Sequence, residues 1–200
     1  MLIATTNPGK LREIRAILAG LPARLESLND HPPLPEAVED ADTFEANAKL
    51  KALHYAGLTG RWTLADDSGL EVDALDGAPG VYSSRYAGPA CDPLVNNAKL
   101  VKALGDVPHQ KRTARFCCVV ALASPTLVLA TASATWEGLI LDKPRGGNGF
   151  GYDPHFFVPQ HGMTSAEMLP EQKNRLSHRA RAFQAIRREL DRLFLETPPP

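Results

Sequence analysis

The first eighteen residues, MLIATTNPGKLREIRAIL (residues 1–18), decide how the chain reads. Met1 to Thr6 is a short apolar strand that Asn7-Pro8-Gly9 stops, and Leu11, Ile14 and Leu18 then recur at helical spacing until Gly20. A strand that hands over directly to a helix opens an α/β fold. The handover also points backbone N–H groups and the positive end of a helix dipole at one spot beside Lys10, which suits an anion. The stretch lacks the G-x-x-x-x-G-K-[ST] pattern of a P-loop, and alone it reads more readily as a tight turn with a solvated lysine.

Outward from there, a proline-rich loop at His31 to Pro35 leads to a second predicted helix. Asp42 is its expected cap, Glu45 completes a capping-box-like pair, and Phe44, Ala48, Ala52 and Tyr55 form the buried stripe before Gly57 and Gly60. Trp62 to Ala65 reads as a strand that delivers Asp66-Asp67-Ser68-Gly69 at its end, with Leu70 to Leu75 a further strand. Gly77 to Gly88 is rich in turns. Asp92-Pro93 supplies an N-cap and a first-turn proline for a third helix carrying Leu94, Ala98 and Val101. Thr113 to Ala123 and Thr126 to Trp136 form an expected hairpin around Ser124-Pro125; its first strand is apolar on both faces and therefore central. After the glycines of Gly146 to Gly151 come a short strand at Phe156 to Val158 and a long closing helix with Phe183, Ile186, Leu190 and Leu193 in register. The expectation is α/β: a mixed sheet flanked by helices, one domain over residues 1–196, and a frayed tail at 197–200.

Two hundred residues with 44% apolar content can bury a core without staples. With 22 Lys+Arg against 23 Asp+Glu no global field favours a nucleic acid polymer or an anionic membrane. The longest apolar run, Cys117 to Ala123, falls far short of the roughly 20 residues a bilayer requires, and Pro8-Gly9-Lys10 comes too early for a signal peptide, so a cytoplasmic location is expected. Three cysteines, two of them adjacent, give neither a disulfide framework nor zinc spacing and read as small core residues.

Four clusters carry the possible chemistry. Asp66-Asp67-Ser68-Gly69 sets carboxylates where Mg²⁺ binding or water activation is feasible, or else forms a self-capped turn; strand alternation should send only one of the two acids into the site. Glu36, Glu39, Asp40 and Asp42 offer a second metal ligand or form a solvated face. Gly146 to Pro154 holds too many glycines for a mere turn and implies close backbone approach; Phe150 or Tyr152 suits stacking on a base and Asp153 hydrogen bonding, unless the aromatics are simply buried. Lys173 and Ser177-His178-Arg179 gather donors at the entry to the last helix, where Ser177 is also a natural N-cap.

Read together and in order, A-T-T-N-P-G-K, A-D-D-S-G-L, G-A-P-G-V-Y-S-S-R-Y-A-G, G-F-G-Y-D-P and K-N-R-L-S-H-R-A-R-A resemble the inosine/xanthosine triphosphate pyrophosphatase family over nearly the whole chain. The resemblance implies an elongated mixed sheet in two lobes with the active-site cleft between them, a homodimer, and Mg²⁺-dependent hydrolysis of ITP, dITP and XTP to the monophosphate and pyrophosphate. Carried over by position, it gives Thr5, Thr6, Asn7, Pro8, Gly9 and Lys10 to the triphosphate. Asp67 becomes general base and Mg²⁺ ligand, and Ser68 a substrate contact. The nucleobase pocket falls to Phe150, Gly151, Tyr152 and Asp153 together with Lys173, His178 and Arg179. Glu39 is the candidate second metal ligand, in a segment, Val38-Glu39-Asp40-Ala41-Asp42, that is shortened and lacks the family's glycine. The competing readings are a pyrophosphatase for modified pyrimidine nucleotides and a nucleotide-binding module without turnover.

Overall fold

A computed structural model describes residues 1–196, so the tail expected at 197–200 lies outside the described residues. Seven strands form one mixed sheet in the order β2-β1-β3-β4-β5-β6-β7. They are β1 (Leu2–Ile3), β2 (Glu26–Ser27), β3 (Thr63–Val72), β4 (Thr113–Ala123), β5 (Val128–Ile140), β6 (Phe156–Val158) and β7 (Met163–Thr164). β1 pairs in parallel with β2 and β3, whereas β6 pairs antiparallel with β5 and β7. Among the described residues five α-helices accompany them: α1 (Pro8–Ile17), α2 (Phe44–Thr59), α3 (Pro93–Leu104), α4 (Pro170–Leu176) and α5 (His178–Glu196). This is the expected α/β class.

The opening strand is shorter than the apolar run implied, because after Ile3 the chain turns to place Asn7 as the cap of α1. The second helix is capped by Thr43, whose hydroxyl accepts from Ala46 N at 3.2 Å, not by Asp42; Glu45 pairs with Lys49 one turn on. The largest departure lies in β3. The Asp-Asp-Ser-Gly stretch reads as a break between two strands, yet Thr63–Val72 is one continuous strand that runs through it. The second hairpin strand also extends to Ile140, and α4 is an additional short helix.

The described residues form two compact units: residues 1–67, 118–134 and 179–196 make the first, and residues 68–117 with 135–178 make the second. In the first, strand alternation builds two cores. Ile3, Leu64, Cys118, Val120 and Leu122 pack with Ile14 and Leu18 of α1 and Phe183, Ile186 and Leu190 of α5. Leu2, Ala65, Ala121 and Ala123 turn the other way, onto Ala48, Ala52, Tyr55 and Ala56 of α2. In the second unit Leu70, Phe116, Trp136, Ile140 and Phe156 pack with Leu100 and Leu104 of α3. Cys117 and Cys118 are buried, as expected, whereas Cys91 is exposed; all three are free thiols. Among the described residues no helix is long and apolar enough to cross a membrane.

The glycine-rich loop before β6 is held against the chain itself. Gly146 has φ +81°, and a Cβ there would overlap the Ala166 backbone, to whose carbonyl Gly147 N and Asn148 N both donate. Gly146→Ala therefore combines left-handed strain with a backbone clash and should destabilise the protein by about 1–3 kcal/mol or more. A denaturant titration checks it; an unchanged midpoint would contradict the packing described.

Candidate active site

The alternation that sends Leu64 toward α1 and α5, and Ala65 toward α2, continues through the two acids. Asp66 falls on the α1/α5 side. Its Oδ2 lies 2.9 Å from Lys10 Nζ and 3.5 Å from Arg179 Nη2, and the Arg179 Nη1 reaches Glu13 Oε2 at 2.6 Å. Asp67 falls on the α2 side, where its Oδ2 accepts from Asn47 Nδ2 at 3.1 Å. One turn along α2, Lys51 lies 2.6 Å from Glu39 Oε2. Asn47 is fixed in turn by exchanging bonds with the Ala41 backbone, which tethers the acidic segment before α2.

The expectation that only one acid faces the site is half right. The two do point to opposite sides, but Asp66 is not turned away from the cradle: it holds the cradle's lysine. Their electrostatics differ accordingly. Burial alone would raise the Asp66 pKa, but Lys10, then Arg179 and Lys51, hold its carboxyl well below the usual carboxylate range. For Asp67 burial prevails: its pKa is raised although Lys51, Lys10 and the Asn47 bond act against it, and Glu39 adds to the rise. Burial would also discharge Lys51, yet Asp66, Glu39 and Asp67 raise its pKa and keep the ammonium charged. A pair of neighbouring acids with opposed environments is the arrangement that separates a fixed charge from a proton acceptor.

At the start of α1 the anion cradle is internally closed. Asn7 Oδ1 accepts from Gly9 N at 2.9 Å and Lys10 N at 3.0 Å, Thr5 Oγ1 accepts from Asn7 N at 3.2 Å, and Pro8 has no N–H to give. Thr6 and Pro8 are exposed. An anion at this helix end would take over the donors that the Asn7 amide oxygen now accepts from.

The second unit holds the remaining candidates. Asp153 is buried and accepts from Phe150 N (2.8 Å), Ser165 Oγ (2.8 Å) and Lys173 Nζ (2.6 Å). Gly149, with φ +77°, leaves room for that carboxylate where a Cβ would collide with it. Lys173 Nζ also sits 4.9 Å from the Phe150 ring centroid. Tyr152 is a core residue rather than a base platform: its hydroxyl donates to Ser83 O at 2.8 Å, and burial raises its phenol pKa. The carbonyl of Gly151 accepts from Asn97 Nδ2 at 2.9 Å. The His178 ring stacks on Phe116 with centroids 4.7 Å apart. Ser68, half-buried on β3, also belongs to this unit. Ser177 closes α4, its N–H reaching Lys173 O at 3.0 Å. Arg179, which the resemblance assigns to the nucleobase pocket, belongs to the first unit and is buried against Glu13 and Asp66.

Sequence reading missed Glu13, Asn47 and Lys51. Each immediately precedes a buried helical position (Ile14, Ala48 and Ala52), so each lies at the edge of an apolar stripe. That edge is the signal that was available.

Opposed environments give opposed stabilities. Asp66→Asn leaves Lys10 and the buried Arg179 without their shared carboxylate and should cost about 3–5 kcal/mol, as breaking a buried ion pair does. Asp67→Asn removes a charge the site disfavours, so stability near neutral pH should hold or rise. Parallel thermal melts test the contrast, and equal losses would contradict it.

The model of the Ham1 family matches residues 1–189. A dITP/XTP pyrophosphatase of Geobacter sulfurreducens is 54% identical over 190 residues, covering 95% of this chain and 96% of that one. Its counterpart from Syntrophobacter fumaroxidans is 51% identical over 97% of this chain and 83% of its own. Among solved structures, a HAM1 protein from Coxiella burnetii superposes with a TM-score of 0.84 at 40% identity, covering 96% of this chain and 98% of that one. A match that runs almost from end to end, and includes both strand-borne acids and the glycine-rich loop, places the chain in the Ham1 family.

Proposed function

We propose that the protein hydrolyses noncanonical purine nucleoside triphosphates (dITP, ITP and XTP) to the monophosphate and pyrophosphate, removing deaminated purines from the nucleotide pool. The observation that carries this reading is the Asp66-Asp67 pair: one acid locked as an anion on Lys10, the other with a raised pKa beside Lys51 and Asn47. The names of the 47–54% identical relatives, dITP/XTP pyrophosphatases, agree with it.

Asp67 orients a water and accepts its proton as the water attacks the α-phosphorus, and pyrophosphate departs from the opposite side. Lys10 and Lys51 stabilise the charge that develops on the leaving phosphates. The N–H groups of Gly9 and Lys10 turn from the Asn7 side chain to phosphate oxygen. The hard oxygen donors for Mg²⁺ would be Asp67 and Glu39, which meet α2 one turn apart through Asn47 and Lys51, and one or two carboxylates with water and phosphate form the usual Mg²⁺ shell. Bound there, Mg²⁺ would neutralise the triphosphate and polarise the scissile phosphorus.

For the base, Lys173 and His178 are the proposed donors to the O6 acceptor of a 6-keto purine, with Phe150 beside Lys173 as the stacking face. The resemblance gives Arg179 to the base as well; Glu13 and Asp66 hold it in the first unit, as Asp153 holds Lys173 in the second. An adenine amino group facing these donors would leave them unpaired, at about 1–3 kcal/mol each. Asp153 already accepts three hydrogen bonds within its own unit, so it is not assigned to the guanine 2-amino group. The proposal includes a cytoplasmic homodimer; Tyr82, Leu94 and Val95, large apolar side chains exposed on the second unit, offer a surface for it.

Turnover of a nucleotide panel with Mg²⁺ tests the reading: kcat/KM for ITP, dITP and XTP should exceed that for ATP, GTP and dTTP, and comparable ATP or dTTP values would defeat it. In the same assay Asp67→Asn should lose about 10²–10⁴ in kcat while still binding nucleotide. Near-normal kcat in that variant would remove Asp67 from the role of base.

A further inference from the structure

Behind Lys10 and Asp66, one buried chain of charges runs along the α1/α5 side of β3 and includes a carboxylate with no role so far. It runs Glu13, Arg179, Asp66, Lys10. Two cations converge on a single oxygen, Asp66 Oδ2, with Lys10 Nζ at 2.9 Å and Arg179 Nη2 at 3.5 Å. The imbalance has a visible origin: Arg179 is drawn the other way by Glu13, whose carboxylate takes Nη1 at 2.6 Å. Arg179 and Asp66 are almost fully enclosed, and the Glu13 side chain is only 12% exposed, so bulk water screens these contacts weakly.

We infer that Glu13 is a positioning residue for the triphosphate: by holding Arg179 back from Asp66 Oδ2, it leaves that oxygen to Lys10 and fixes the ammonium at the first turn of α1. The inference rests on the proposed function only in naming the phosphates that Lys10 meets. Glu13 touches no substrate. It stands one helical turn beyond Lys10 on α1, and its effect passes through Arg179 and Asp66.

The geometry has two consequences. Without the Glu13 charge, Arg179 moves onto Asp66 Oδ2, where its planar fork makes the better carboxylate partner, and Lys10 loses its anchor. With Glu13 present, Arg179 remains behind Asp66 as the counter-ion that keeps the buried carboxylate paired when Lys10 turns to a phosphate. Glu13 thereby divides one carboxylate between a resident cation and one that must be lent to the ligand.

The test is a double-mutant cycle on the full-length protein with Glu13→Gln, Lys10→Ala and the double variant. KM and kcat for ITP are measured, and affinity for inorganic tripolyphosphate is taken by calorimetry in magnesium-containing buffer. Glu13→Gln should raise KM and weaken tripolyphosphate binding about five- to tenfold, within the range of coupling between contacting charges, and change kcat by less than about twofold. In the Lys10→Ala background the same substitution should add nothing to either constant. A Glu13→Gln effect of equal size in both backgrounds, or a loss of kcat at unchanged KM, would overturn the inference; a merely structural glutamate gives one of those results. Should Glu13→Gln fail to fold, Glu13→Asp keeps the charge but shortens its reach by one methylene, and a smaller rise in KM that again vanishes without Lys10 is expected. Tripolyphosphate affinity separates the two claims. If the wild type does not turn over ITP but its tripolyphosphate binding depends on Glu13 through Lys10, the proposed function fails and the positioning role stands.

Discussion

A carboxylate without water must be surrounded by cations, and Asp66 imposes that constraint on the first unit. Its side chain is 1% exposed, a burial that costs several kcal/mol for an ion left unpaired. The cations that compensate come from distant parts of the sequence: Lys10 from the first turn of α1, and Arg179 from the first turn of α5. One charge thus ties together the end of the leading loop, a strand in the middle of the chain and the start of the closing helix. Such an arrangement adds little net stability compared with an apolar core of the same volume. Its contribution is positional. The pair holds the Lys10 ammonium at one place until a ligand competes for it, and α1 cannot rotate about its axis without breaking the pair.

The second unit uses the same principle with different parts. Asp153 is also buried and also holds a lysine, but its remaining bonds go to Phe150 N and Ser165 Oγ, so the carboxylate organises its own loop. The glycines around it serve this packing. At Gly149 any side chain would occupy the space of the Asp153 carboxylate, and at Gly146 the space of the Ala166 backbone. The loop looks flexible in composition and is fully specified in structure, because its turns bring backbone against backbone.

Much of the fold was legible because local chemistry announces it. Asn7-Pro8 and Asp92-Pro93 are N-cap and first-turn signals, and the helices begin there. The apolar character of Thr113–Ala123 on both faces gave the covered strand. Illegible were the features fixed by tertiary contact. Two-residue strands such as β2 and β7 have no periodicity to read. The cap of α2 moved by one residue, from Asp42 to Thr43, a choice between two good capping types. In the site, neighbours part company. His178 and Arg179 are neighbours in sequence, but successive residues at the head of a helix point about 100° apart, so one stacks on Phe116 while the other joins Glu13 and Asp66. Asp66 was misjudged for the complementary reason: its direction was inferred correctly from alternation, but the identity of what waits on that side, Lys10 and Arg179, depends on where α1 and α5 pack.

The continuity of β3 through Asp-Asp-Ser-Gly then acquires a reason. The site needs two carboxylates close together that do not share an environment, because two acids in one pocket couple and one of them takes up a proton. In a turn, or on the face of a helix, adjacent acids would point within about 100° of each other or less and compete for the same cations. In an extended strand they leave on opposite sides of the sheet within one residue's rise of about 3.3 Å. Asp66 is thereby given to α1 and α5, which supply two full cations, and Asp67 to α2, which supplies an amide and a lysine already shared with Glu39. Lys10 and Lys51 act on both carboxylates, but the pairing with Lys10 and Arg179 fixes Asp66 as an anion, whereas burial prevails at Asp67 and leaves a carboxylate ready to accept a proton. A break in the strand between the two cores, which the composition of the motif suggests, would remove the separation on which that division depends.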